Sequence, residues 1–115
     1  MAAPREMIAL QSQEFFESLI KKNPSVPHDP IIVVKFGADW CQPCKRIDIN
    51  YLLNLSDKIK WYSCDVDEND YTPGYCGVRQ IPAFLAIVNG QPQPLFVSSD
   101  TMKVAEWMKN GFKPV

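Results

Sequence analysis

Two stretches of this chain are apolar almost without a break: Ile31-Ile32-Val33-Val34, continued through Lys35 to Phe36, and Ala83-Phe84-Leu85-Ala86-Ile87-Val88. Successive side chains of a strand point to opposite faces, so a strand with one wet face alternates polar and apolar residues. These two do not alternate. They read as strands covered on both faces, and the cover must come from helices elsewhere in the 115 residues.

The rest of the chain supplies those elements. Arg5–Leu10 reads as a short strand, and Ser12 as the cap of a helix carrying Phe15, Phe16, Leu19 and Ile20 on its apolar face. Asn23 to Pro30, with three prolines, joins two elements rather than two domains. After the Ile31–Phe36 strand, Ile47, Leu52, Leu53 and Leu55 predict a helix to about Ser56, and Ile59–Val66 a second central strand. Tyr71-Thr72-Pro73-Gly74 gives a short helix or turn. Asn89-Gly90 marks a hairpin turn from Ala83–Val88 into Leu95–Val97. Asp100 caps a last helix with Val104, Trp107 and Met108 inward, and Gly111 stops it. The order β-α-β-α-β-α-β-β-α predicts a single α/β domain over 1–115, a mixed sheet with helices on both faces.

Composition narrows the function. Twelve basic and 13 acidic side chains leave a formal charge of −1, and no basic block exceeds two residues, so a nucleic-acid partner has no electrostatic footprint. No apolar stretch approaches the roughly 20 residues that span a bilayer, and Met1-Ala-Ala-Pro-Arg-Glu lacks a signal-peptide core. A cytoplasmic or otherwise reducing compartment is expected, and Asn54-Leu55-Ser56 is then a coincidental glycosylation sequon. The domain is large enough to be stable without disulfide staples, so its four cysteines point to chemistry or metal rather than to a framework.

Cys41 and Cys44 stand where the first apolar strand ends and a helix begins, in Trp40-Cys41-Gln42-Pro43-Cys44-Lys45. That placement sets one thiol at the helix start and the other about a turn later, a geometry that permits a reversible disulfide. Zinc would need two more ligands. Cys64 and Cys76 form no second CxxC, and His28, the only histidine, lies in the Pro-rich segment, so no metal is expected. Asp65 to Asp70 fails as a calcium loop, with Asp70 where glycine and Cys76 where glutamate are required.

Several segments together resemble the thioredoxin family. Phe36-Gly-Ala-Asp-Trp-Cys-Gln-Pro-Cys-Lys45 is similar to its active-site segment, and Asp65-Val66-Asp67-Glu68-Asn69 to the ending of its third strand. Gly77-Val78-Arg79-Gln80-Ile81-Pro82-Ala83-Phe84 is similar to its cis-proline segment, and Asn89-Gly90 falls where its last hairpin turns. The match runs in order over roughly residues 30 to 110.

The resemblance implies the thioredoxin fold and a protein-disulfide reductase. Cys41 would be the nucleophile, its thiolate favoured at the helix N-terminus, and Cys44 the resolving thiol, with Pro43 in the first helical turn. It implies a cis peptide before Pro82, with the Ile81 backbone offering strand-like hydrogen bonds to an extended substrate. Trp40, Ile81, Pro82 and Ser98 would form the docking surface. The redox-active Cys41–Cys44 pair needs no bound cofactor. Disulfide-containing protein substrates, a thioredoxin reductase-type electron donor and a monomeric state follow from the same resemblance.

Cys64 reads as a small buried hydrophobe and Cys76, beside Gly77, as a more accessible thiol open to oxidative regulation. Trp61 and Trp107 read as packing residues. Four positions depart from the family pattern. Lys35 stands where the family buries an aspartate, Gln42 where glycine is common, Ile49 where a helix-kinking proline is usual, and Ser98 where glycine lies on the docking surface. Lys35 is expected to lower the thiol pKa values and make the disulfide more oxidising. A more oxidising oxidase or isomerase and a thioredoxin-fold adaptor are the alternative functions.

Overall fold

The computed structural model describes residues 6–10, 12–20 and 30–113. Arg5, the residues 23–29 of the Pro-rich segment, and His28 lie outside the described residues. Within them the order is β1 (Ile8–Ala9), α1 (Gln13–Ile20), β2 (Ile31–Gly37), α2 (Gln42–Lys45), α3 (Ile49–Leu53), β3 (Ile59–Asp65), α4 (Tyr71–Cys76), β4 (Ala83–Val88), β5 (Gln91–Pro92), β6 (Phe96–Val97) and α5 (Thr101–Lys109).

The two apolar runs lie side by side at the centre of the sheet. Strand order is β1-β3-β2-β4-β5, with β6 also paired to β4. β2 runs parallel to β3 and antiparallel to β4, so the sheet is mixed. Alternation along each strand divides the core in two. Ile32, Val34, Phe36, Leu85 and Ile87 pack with Phe16 and Leu19 of α1 on one face. Val33, Trp61, Phe84 and Ala86 pack with Leu52 and Leu53 of α3 and Val104 and Trp107 of α5 on the other. Trp107 is buried, stacked on Phe96 at 5.2 Å and met edge-on by Phe112 at 5.0 Å. Both Trp61 and Trp107 are therefore core residues.

Local capping follows the sequence closely. Ser12 Oγ accepts the Phe15 amide at 3.1 Å, and the Asp100 carboxylate accepts the amides of Met102 and Lys103. Gly111, at φ +72°, closes α5 in the left-handed conformation. Phe15, expected on the buried face of α1, is 40% exposed, its ring edge-on to Tyr62.

Three expectations need correction. The single helix from the cysteines to Ser56 is two short helices, broken at Arg46–Asp48. The break needs no proline. Asp48 turns its carboxylate back onto the Tyr51 amide, while its own amide is taken by the Thr101 hydroxyl of α5 at 2.9 Å. Second, the N-terminal strand is only Ile8–Ala9 among the described residues. Third, the hairpin after Asn89-Gly90 leads first into β5, a strand the periodicity did not reveal. Pro92 and Pro94 interrupt the pairing along β4, so one return strand becomes two short pieces, β5 and β6.

Candidate active site

The site forms where β2 ends and α2 begins. Ala38 accepts the Cys41 amide at 3.1 Å, turning the chain so that Cys41 becomes the N-cap of α2. Pro43 sits in the first helical turn, where its missing N–H costs nothing. Cys44, one turn in, donates its backbone N–H to Cys41 Sγ at 3.1 Å. The two cysteines are joined as a disulfide, with Cα atoms 5.3 Å apart. Both are buried, at 2% and 5% exposure, while Gln42 and Pro43 between them face solvent.

The second component comes from the loop before β4. The Ile81–Pro82 peptide is cis. The Ile81 carbonyl oxygen lies 3.9 Å from Cys41 Sγ, so this loop touches the sulfur that precedes the helix. Pro82 itself is buried, whereas Arg79 and Gln80 are exposed. Ser98 follows β6 directly: the antiparallel pair Ala83–Val97 ends the ladder, and the residues next to it on the two chains are Pro82 and Ser98. Ser98 Oγ is already engaged, accepting the Asp100 amide at 3.1 Å ahead of α5.

Among the described residues, Trp40 is the most exposed large apolar one, at 64%. Its indole Nε1 donates to the Asp67 carboxylate at 2.7 Å, which ties the ring to the loop after β3. Nothing in the sequence by itself pairs Asp67 with Trp40. Asp67 lies in the Asp65–Asn69 segment, but only the fold shows that this loop reaches the tryptophan.

Lys35 occupies the inner end of β2, half-buried, beside Ser63 of β3 and Phe84 of β4. With Cys44, Gly37, Ile47, Ile49 and Asp65 it lines a cavity of about 360 Å³ behind the disulfide. Burial pulls its pKa below the usual lysine value.

The remaining cysteines belong to the core face packed by α1, and Cys64 also borders the cavity behind the disulfide. Cys64 is buried in β3. Cys76 ends α4 rather than lying in an open turn, and it is half-buried against the same cluster. Burial pushes the Cys64 thiol up to about 12, with Cys76 and Asp65 adding to the effect. Burial alone takes Cys76 to about 11. Among the described residues, no three His, Cys, Asp or Glu side chains come together as a metal site, and no helix is long and apolar enough to cross a membrane.

A mixed sheet between two helical layers, with a Cys-x-x-Cys disulfide at a helix start facing a cis-proline loop, defines a thioredoxin-fold protein with a dithiol/disulfide centre. Comparison with known proteins gives the family. The thioredoxin family model matches residues 6–110, and the chain belongs to the thioredoxin family. It is 33% identical over 91 residues to a thioredoxin of Rickettsia typhi, covering 76% of this chain and 87% of that protein. It is 41% identical over 71 residues to chloroplastic thioredoxin M2 of Arabidopsis thaliana, covering 59% of this chain. The chain spans about four-tenths of that protein and about half of the chloroplastic M-type thioredoxin of Brassica napus. Among solved structures, thioredoxin from Malassezia sympodialis superposes with a TM-score of 0.79 at 25% identity, covering 98% of this chain and 97% of that one. Thioredoxin from Trypanosoma brucei brucei shares the fold at a TM-score of 0.82 and 22% identity, covering 98% and 96%.

Proposed function

We propose that this chain is a thiol–disulfide oxidoreductase that reduces protein disulfides. The observation that carries the reading is the Cys41–Cys44 disulfide set at the start of α2 and faced by the Ile81 carbonyl. In the reduced form, the Cys41 thiolate attacks a substrate disulfide. A Cys41–substrate mixed disulfide forms and one substrate sulfur leaves as a thiolate. Cys44 then attacks Cys41 Sγ, releases the second substrate sulfur and closes the intramolecular disulfide. Two electrons pass from the dithiol to the substrate.

Cys41 is the nucleophile because its sulfur accepts the Cys44 amide and caps the helix, both of which favour its anionic form. Trp40, Ile81, Pro82 and Ser98 form the docking surface. Its support is the exposure of Trp40 and the end of the β4–β6 ladder, which Pro82 and Ser98 flank. An extended substrate segment would lie along the Ile81 backbone as an added strand.

The reading includes a thioredoxin reductase-type electron donor, a monomer, no bound cofactor and a reducing compartment such as the cytoplasm. Two of the matched relatives are chloroplastic proteins, so the fold itself does not choose the compartment. Regulation through Cys76 has weaker support. At a pKa of about 11, its thiolate is about one part in ten thousand at neutral pH, which protects it from oxidants that react with thiolates.

The test is insulin reduction by the wild-type protein beside Cys41→Ser and Cys44→Ser. The wild type should reduce insulin and both variants should fail. A wild type no faster than the serine variants would leave the adaptor reading in its place. Trapping mixed disulfides on Cys44→Ser then identifies the substrates.

A further inference from the structure

α2 is four residues long, too short to stand as a helix on its own propensity. Its end is closed by the Ile47 amide, which donates to the Cys44 carbonyl at 3.3 Å. Ile47 is buried in the core face of α3 and α5, and it lines the cavity behind the disulfide together with Cys44. The residues on either side of it, Arg46 and Asp48, are exposed, and both meet one side chain of α5. The Asp48 amide donates to the Thr101 hydroxyl oxygen at 2.9 Å. The same hydroxyl faces the Arg46 carbonyl at 3.5 Å, a long contact that gives its proton a direction rather than much energy. Thr101 is itself well held. It is the first residue of α5, a helix capped by the Asp100 carboxylate and anchored in the core by Val104 and Trp107.

We propose that Thr101 is a positioning residue for the resolving step: its hydroxyl holds the chain on both sides of Ile47 and so keeps Cys44 within reach of Cys41 while the disulfide is open. The proposal rests on the exchange chemistry assigned to Cys41 and Cys44. In the mixed disulfide, the Cys44 thiol gives its proton to solvent and Cys44 Sγ bonds to Cys41 Sγ. The bond from Cys41 to the substrate sulfur breaks, and its electron pair leaves on that sulfur. This step is an intramolecular closure, so its rate and equilibrium depend on how much freedom Cys44 gives up to make it. While the disulfide is closed, the S–S bond itself ties the first turn of α2 together. Once it is open, α2 has only its few backbone bonds and the Thr101 contact. Losing that contact therefore loosens the open forms more than the closed one, which slows closure and disfavours the disulfide. Attack by Cys41 comes earlier and needs only the helix start, which the Ala38 carbonyl fixes through the Cys41 amide.

The experiment mixes the reduced protein with dithiobis(nitrobenzoate) in a stopped-flow instrument and follows the coloured thiolate at neutral pH. The release that depends on reagent concentration reports attack by Cys41, and the release that does not reports closure by Cys44. Cys64 and Cys76, their thiols raised by burial, react more slowly than either. Thr101→Val should slow closure about fivefold, the factor that one lost hydrogen bond gives, and leave the Cys41 release unchanged. Equilibration with a thiol buffer should show the dithiol–disulfide potential less negative by about 20 mV, the same fivefold at about 30 mV per tenfold for two electrons. Thr101→Ser keeps the hydroxyl and should restore both values to within about twofold of the wild type. Thr101→Ala, as a second variant without the hydroxyl, should match valine and guards against a folding defect peculiar to it. Unchanged closure and potential in both variants that lack the hydroxyl would overturn the proposal. So would a serine protein as slow as the valine one, or an equal slowing of both releases, which marks general loosening. A wild type that closes its disulfide on the reagent yet fails to reduce insulin would sink the proposed function and leave the role of Thr101 standing.

Discussion

Trp40 and Asp67, 27 positions apart, are joined by a 2.7 Å hydrogen bond from the indole Nε1 to the carboxylate. A ring 64% exposed beside the disulfide would otherwise be free to turn. Its fixed orientation spares a docking substrate the cost of ordering it. Asp67→Ala removes a hydrogen bond to a charged group, worth on the order of 1 kcal/mol at an exposed site. KM for a protein disulfide should rise about fivefold, with the rate on a small aromatic disulfide unchanged. Steady-state assays with both substrates check this; equal losses on the two would show that the bond serves the chemistry rather than docking.

The Cys44 amide aimed at Cys41 Sγ predicts which thiol reacts first. In the reduced protein, substoichiometric iodoacetamide at neutral pH should label Cys41 in preference to Cys44, by at least tenfold in peptide mass spectra. Cys64 and Cys76, both raised by burial, should remain unlabelled in the native state.

The break between α2 and α3 gives two opposite expectations. Thr101→Val deletes the hydroxyl that takes the Asp48 amide and should cost about 1 kcal/mol in urea unfolding. Ile49→Pro should be nearly neutral, within about 1 kcal/mol. Ile49 is the first residue of α3, where a proline needs no N–H, and Asp48 before it has φ −82° and ψ 89°, outside the helical region. A large loss in Ile49→Pro would mean that the side-chain packing of Ile49, rather than the backbone, holds the break.

Alkaline pH should destabilise the fold through the two free cysteines. Their folded pKa values, about 12 and about 11, lie above the ordinary value of 9.0, so the native state holds protons that the unfolded chain releases. The stability they contribute is complete below pH 9 and is lost as pH rises through 11 to 12. Lys35 acts with the opposite sign. Its lowered pKa makes the native state release a proton early, so its contribution increases with pH up to 10.5. Unfolding midpoints of the wild type and of Cys64→Ala/Cys76→Ala, measured from pH 8 upward, separate the two effects. The double variant should have the flatter profile.

Much of the architecture was written in the spacing of apolar residues. Ile31–Phe36 and Ala83–Val88 could only be central strands, and the hydroxyl of Ser12 and the carboxylate of Asp100 announced their helices. The helix break was not legible, because the hydroxyl that stabilises it belongs to Thr101, far along the chain. β5 escaped for a related reason: two residues containing a proline carry no periodicity, and only pairing with Ile87 and Val88 makes them a strand. The cysteine pair was legible because its chemistry is local. The Trp40–Asp67 bond and the cavity joining Lys35 to Cys44 needed three-dimensional neighbours.

Pro92 has a consequence beyond interrupting β5. It lies on the outermost strand of the sheet next to β4, where a second chain would add its own backbone. A proline there has no N–H to offer, and Pro94 follows two residues later. That margin is blunted against edge-to-edge aggregation.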